Sequence, residues 1–120
     1  MDRKTIIREY KEARQPAGVF AVRNTKSGKL LVGSSTNVPG MLNRQRFQLR
    51  SGGHPDAELQ KDWNEQGPEA FAFETLDLLD MPDEPAYDPA EDLRVLHEIW
   101  LEKLRASGAV LYRQSVRKAG

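Results

Sequence analysis

The stretches A-G-V-F-A-V-R-N at residues 17–24 and K-S-G-K-L-L-V-G-S-S-T-N at residues 26–37 decide the fold of this chain. Residues 18–23 and 29–33 are mostly β-branched or aliphatic, and Asn24-Thr25-Lys26-Ser27-Gly28 lies between them. A short polar loop ending in Gly joins two such runs as a hairpin. The strands are therefore expected to be antiparallel neighbours. Gly33-Ser34-Ser35 closes the second strand, and Thr36 or Asn37 stands where a helix cap is needed.

The helix that follows is expected over residues 39–51, with Pro39 in its first turn and Gly52-Gly53 at its end. Arg44, Arg46 and Arg50 decorate it, and it holds no acid. That is a nucleic-acid signal, to be weighed evenly against simple solvation. A second helix is expected over 55–66, opened by His54-Pro55, with Leu59 and Trp63 one turn apart on the core side. His54 either caps that helix or contacts phosphate. After Gly67, residues 70–78 read as a third strand with Phe71 and Phe73 on one face.

Residues 80–92 hold six acids, three prolines and no base, which is a solvated acidic loop without the spacing or Gly of a calcium-binding loop. Asp88 and Pro89 open a last helix running to about residue 106. Leu93, Leu96, Trp100, Leu101 and Leu104 form its apolar stripe. Residues 109–112 are a short strand or an extended segment, and 113–120 a frayed basic tail. At the other end, residues 3–14 have helical periodicity in Ile6, Tyr10 and Ala13, and Pro16 stops them. The basic face of that helix, Arg3, Lys4, Arg8, Lys11 and Arg14, is either a solvated surface or a phosphate-contacting arm. The pattern is β-β-α-α-β-α behind an extra helix. It predicts an α+β domain with a small antiparallel or mixed sheet and helices on its faces.

At 120 residues the chain is the size of one domain. It has no cysteine, which excludes disulfides, thiolate catalysis and cysteine-based zinc sites. No apolar run approaches the roughly 20 residues of a membrane span, and no secretory signal opens the chain. A cytoplasmic home fits these features. The net charge of zero conceals a division. Residues 1–50 hold 11 Lys+Arg against 3 Asp+Glu, or +8, and residues 51–120 hold 7 against 15, or −8. A basic first half suggests a polyanionic partner, or else two halves that pair within the fold.

The ordered segments resemble the GIY-YIG nuclease superfamily across residues 17 to about 112. Gly18-Val19-Phe20 stands at the first name-giving tripeptide, and Leu31-Val32-Gly33 at the second, followed by Ser34, Ser35 and Asn37. G-G-H-P-D-A-E-L-Q-K-D-W-N-E-Q-G-P-E-A-F-A-F-E at 52–74 is similar to the middle of phage-type and bacterial members, and E-I-W-L-E-K-L at 98–104 to their last helix. The resemblance implies an α/β sandwich with a three-stranded sheet. It divides the chain into an N-terminal helix (1–16), a GIY-YIG-like domain (17–112) and a basic tail (113–120).

The resemblance also implies a set of catalytic positions, and this chain departs at each. The two tyrosine positions are Phe20 and Leu31. The helix arginine position is Met41, with Arg44 one turn on as a partial substitute. The metal-binding glutamate position, three residues before Trp100, is His97. The late asparagine position falls near Arg113, after Leu111-Tyr112. Phosphodiester cleavage needs an activated water, a divalent cation and a positive group on the developing oxyanion. Phe20 cannot move a proton, and a lone His97 suits magnesium poorly. Glu98 is turned about 100° away on the helix.

The first expectation is thus a nuclease-fold domain that cleaves weakly or not at all and still meets nucleic acid, DNA above all, in a weak, salt-sensitive way. Its contacts would be Lys29, Ser34, Ser35, Arg44, Arg46, Arg50 and His54. The alternatives are an active endonuclease using Mg²⁺ or Mn²⁺ with Arg44 and His97 in an unusual site, and a protein-interaction module on the same scaffold. The residues point to no oligomeric state and assign no metal ligands.

Overall fold

The structure, a computed structural model, describes residues 15–116. Its elements are β1 (Gly18–Asn24), β2 (Leu30–Ser35), α1 (Val38–Ser51), α2 (Ala57–Gln66), β3 (Phe71–Leu78) and α3 (Ala90–Ala106). Short 3-10 turns occupy Pro68–Ala70 and Arg113–Val116. The helix expected at 3–14 and the chain end at 117–120 lie outside the described residues.

The sheet has the order β2-β1-β3, with β1 antiparallel to both neighbours. Asn24 builds the hairpin turn. Its Oδ1 accepts from the backbone N–H of Lys26 (3.1 Å) and Ser27 (3.3 Å), and Gly28 turns the chain at φ +80°. Gly18 is required where β1 and β3 shift register between Val19 and Phe20. A Cβ there would stand 2.0 Å from the carbonyl oxygen of Asp77.

Alternating side chains give each sheet face its own core. On one face Val22, Leu31 and Phe71 pack with Leu49 of α1, and with Leu59 and Trp63 of α2. The Trp63 and Phe71 rings lie 5.3 Å apart. On the other face Val19, Ala21, Leu30 and Val32 meet α3 through Leu101, with Leu96, Trp100 and Leu104 packed against them. The predicted stripe of α3 is thus the stripe that docks. Glu91 and Glu98 of α3 point outward and share Arg94.

Helix α1 begins with Asn37 accepting from Gly40 N–H at 3.1 Å and ends at Gly52 with φ +80°. Helix α2 begins later than the sequence suggested. Asp56, not His54-Pro55, caps it through Oδ1 and Leu59 N–H at 3.0 Å. His54 and Pro55 form a turn whose backbone is held by side chains, and this displaces the start.

The C-terminal segment also differs from a frayed tail. Leu111 makes a single parallel bridge to Leu30, so residues 109–112 are nearly a fourth strand. The turn Arg113–Val116 then docks on β2. The Ser115 hydroxyl, fully buried, accepts from Val32 N–H (2.9 Å) and donates to the Leu30 carbonyl (3.2 Å). Tyr112 is fully buried too. Its hydroxyl donates to Asp62 Oδ2 (2.7 Å) and accepts from Asn24 Nδ2 (3.2 Å). Burial, reinforced by Asp62, pushes the Tyr112 phenol well above its ordinary pKa.

Candidate functional site at the sheet edge

β2 is an edge strand, so side chains from both sheet faces can reach the space beside it. A cleft of about 180 Å³ opens there. Phe20 of β1, Leu31 of β2, Met41 of α1 and His97 of α3 all line it. These are the positions implied by the resemblance, and the fold gathers them from four elements into one place. Phe20 lies across Gly33: a Cβ at Gly33 would come within 2.6 Å of the Phe20 Cζ. Val32, Gly33 and Ser34 complete the strand side.

The far wall is a polar network that the sequence did not announce. His54 is buried, not exposed to phosphate. Its Nδ1 accepts from the backbone N–H of Asp56 at 2.9 Å. Nδ1 therefore carries no hydrogen, and Nε2–H donates to Gln45 Oε1 at 2.5 Å. The Gln45 amide in turn points at the Met41 sulfur, 3.6 Å away. Gln60 accepts from His54 N–H (3.0 Å) and donates to the Leu49 carbonyl (3.0 Å). Burial lowers the His54 pKa, opposed by the charge of Asp56, and so favours the neutral ring. From the segment of the late position, Gln114 lines the cleft and Arg113 does not. Arg113 is exposed beside Pro55 and Glu58. Gln114 is fixed by its backbone N–H, which donates to Asp56 Oδ2 at 3.0 Å.

The chemistry of this lining is apolar and neutral polar. Among the described residues, no Lys, Arg, Asp or Glu faces the cleft. Nε2 of His97 is buried and finds no hydrogen-bond partner among the described residues. Magnesium or manganese would need several oxygen ligands. Among the described residues the cleft has no carboxylate, and no group of three or more His, Asp or Glu comes together. The residues present do not fit such an ion.

The expected nucleic-acid contacts divide into committed and free side chains. Lys29 pairs with Glu58 and stands over the Tyr112 ring. Arg46 lies over the Phe73 ring at 4.4 Å and donates to Asn43 at 3.4 Å. Ser35 Oγ exchanges hydrogen bonds with the backbone of Asn37, both at 3.0 Å, and so supports the start of α1. Ser34 lines the cleft. Arg44 does not line it. With Arg50 it stands on the exposed side of α1, and neither makes an ion pair among the described residues. Between them lies Phe47, 71% exposed. At 100° per residue, Phe47 sits about 180° from Val38, opposite the buried stripe of Val38, Gln45 and Leu49. Arg44 and Arg50 flank it at i−3 and i+3. Sequence reading passed over Phe47. The signal was an aromatic side chain on the pole of α1 where a polar residue belongs.

No known protein family's sequence model matches the chain, and no curated protein matches it in sequence. Solved structures do match. The catalytic domain of the intron endonuclease I-TevI, in a point-mutant form, is 21% identical with a TM-score of 0.66, over 88% of this chain and 100% of that one. A second structure of the catalytic domain of the homing endonuclease I-TevI is 22% identical with a TM-score of 0.61, over 78% of this chain and 94% of that one. The described residues therefore have the three-stranded α+β fold of a GIY-YIG catalytic domain, as the resemblance implied. No helix among them is long and apolar enough to cross a membrane.

Proposed function

We propose that this chain is a nucleic-acid-contacting domain of GIY-YIG fold that cleaves phosphodiesters slowly or not at all. The observation that carries the contact is the outer face of α1, where Phe47 stands exposed between Arg44 and Arg50, neither of them ion-paired among the described residues. Flanking guanidiniums neutralise phosphates and release counterions. An exposed ring between them offers a stacking surface that any base can use. Solvent would not favour so large an apolar side chain there. The neighbouring folds are endonuclease domains by name, which fits a nucleic-acid partner. DNA is the first substrate to test, and a cytoplasmic location belongs to the same reading.

Loss of cleavage rests on the cleft. Phe20, Leu31 and Met41 carry no hydroxyl, guanidinium or carboxylate, and Nε2 of His97 is buried out of reach of solvent. Among the described residues of the cleft, water activation, metal binding and oxyanion stabilisation each lack their group.

Fluorescence anisotropy with short single- and double-stranded DNA, and with RNA, at two salt concentrations tests the contact. Affinity in the range of ~10⁻⁴–10⁻⁶ M that weakens with salt is expected. The triple substitution Arg44→Glu, Phe47→Ala and Arg50→Glu should abolish it without unfolding the domain, since exposed positions cost little stability. Arg46 is left in place because its guanidinium packs on Phe73. Absence of binding to all three probes at low salt would sink this reading and leave protein interaction as the better one.

A further inference from the structure

The exposed ring on α1 stands alone. A helix that docks on another protein carries its apolar area on through the positions three and four residues away. Around Phe47 those positions are Asn43, Arg44, Arg50 and Ser51, all exposed and none apolar. Such a surface lacks the apolar area of a protein-docking patch. A single ring is, however, all that stacking on a base requires.

Helix geometry sets the two arginines about that ring. Arg44 precedes Phe47 by three residues and Arg50 follows it by three. They therefore lie about 60° to either side of it and about 9 Å apart along the axis. Phosphates of one stacked strand step about 3.4 Å. The two guanidiniums thus span two to three steps, with the ring between them. Arg46 takes no part, because its guanidinium packs on the Phe73 ring at 4.4 Å.

A phenyl ring has no donor or acceptor for a base edge and gains chiefly from a base face. In a duplex both faces of each base are covered by its neighbours, and opening a step costs free energy. In a single strand the face is available. Resting on the reading of α1 given above, we propose that this face binds unpaired DNA. Phe47 stacks on one open base, and Arg44 and Arg50 hold the phosphates to either side. Base identity is not read, since every base has a face. The sugar is not selected for RNA either. Asn43 Oδ1 accepts from Arg46 at 3.4 Å, and the Ser51 hydroxyl donates to the Gln48 carbonyl at 3.2 Å. Both neutral side chains beside the ring are thus engaged within α1, and neither is set aside for a 2′-hydroxyl. Single strands, overhangs and gaps are the preferred targets.

Anisotropy at one fixed low salt concentration compares a short mixed-sequence DNA strand with its blunt duplex and with an RNA strand of the same sequence. Wild-type protein should bind the DNA strand roughly ten-fold more tightly than the duplex, within the range for one stacked base. Phe47→Leu, which keeps an apolar side chain and removes the ring, should bring the strand down to the level of the duplex. Phe47→Trp should keep the preference, and the fluorescence of the added indole should be quenched by the strand far more than by the duplex. The position is exposed, so both variants should fold. Duplex binding as tight as strand binding by the wild type, with salt sensitivity retained, overturns the preference and leaves the α1 contact standing. A preference that survives Phe47→Leu overturns the role given to the ring. RNA bound more tightly than the DNA strand overturns the assignment to DNA. No binding of any probe at low salt overturns the proposal together with the α1 reading.

Discussion

His54 donates from Nε2 to Gln45 Oε1 across 2.5 Å while its Nδ1 accepts from the Asp56 backbone at 2.9 Å. Both ring nitrogens are thus spent on one tautomer. A second proton would have to enter at Nδ1, where an N–H already points inward. Geometry and burial agree here, for desolvation holds the folded pKa below its ordinary value.

The sign of the consequence for stability follows. Between the folded pKa and the ordinary value of about 6.5, the unfolded chain binds a proton that the folded chain refuses. Stability therefore rises with pH in that window, is complete above about 6.5 and is lost as pH falls through the window. Urea midpoints measured at pH 7.5 and 5.5 should show the protein weaker at the lower pH. His54→Asn keeps an acceptor near the position of Nδ1 and cannot titrate, so its pH dependence should be smaller. An unchanged dependence in that variant would assign the effect to other groups.

Phe20 and Gly33 make a second coupled pair. The Phe20 ring occupies the space a Gly33 side chain would need, at 2.6 Å from an added Cβ. Gly33→Ala should cost roughly 1–3 kcal/mol, the usual range for overpacking a filled site. Phe20→Ala alone also destabilises, because it leaves a void. The double variant should be more stable than the sum of the two losses, since removal of the ring makes room for the new methyl. Strict additivity in denaturant melts would contradict the contact.

Ser115 gives a test of the C-terminal turn. Its hydroxyl satisfies Val32 N–H and the Leu30 carbonyl on the outer edge of β2. Ser115→Ala leaves both without that partner inside the protein, at a cost on the order of 1–3 kcal/mol. Amide exchange at Val32 should quicken by more than exchange at Ala21 in the centre of the sheet. Uniform exchange across both strands would mean that the turn does not hold this edge.

Much of this arrangement was legible in the sequence, and the reasons differ by element. The hairpin was legible because Asn24 through Gly28 is turn chemistry between two apolar runs. The α3 stripe was legible because Leu93 through Leu104 repeats at helical spacing. The start of α2 was not, because both Pro55 and Asp56 are good opening residues, and the choice depended on a buried His54 turn. The role of Ser115 was hidden as well: a lone serine in a basic tail carries no local sign that it will finish a strand edge 83 residues away. The cleft positions could be named only through the resemblance, and the fold brings four of them together. Their neighbours Gln45 and Gln114 could not, since a buried amide looks like a surface one until the packing is known.

The final prediction concerns cleavage itself. Phe20, Leu31, Met41 and His97 face one cleft, so groups restored there would act on a common point. The unmodified protein, incubated with DNA and Mg²⁺ or Mn²⁺, should fall well below the roughly 1 per second at the lower end of typical enzymes. The combined variant Phe20→Tyr, Leu31→Tyr, Met41→Arg and His97→Glu should gain metal-dependent cleavage. Single restorations should not, because proton transfer, charge stabilisation and metal binding fail independently when any one is missing. His97→Glu has a separate readout: it adds an oxygen ligand beside the cleft, and Mn²⁺ should raise its melting temperature more than that of the unmodified protein. Purified unmodified protein that cleaves at about 1 per second, with that activity removed by substitutions at Arg44 or His97, would show that the unusual site works and that the loss of cleavage proposed above is wrong.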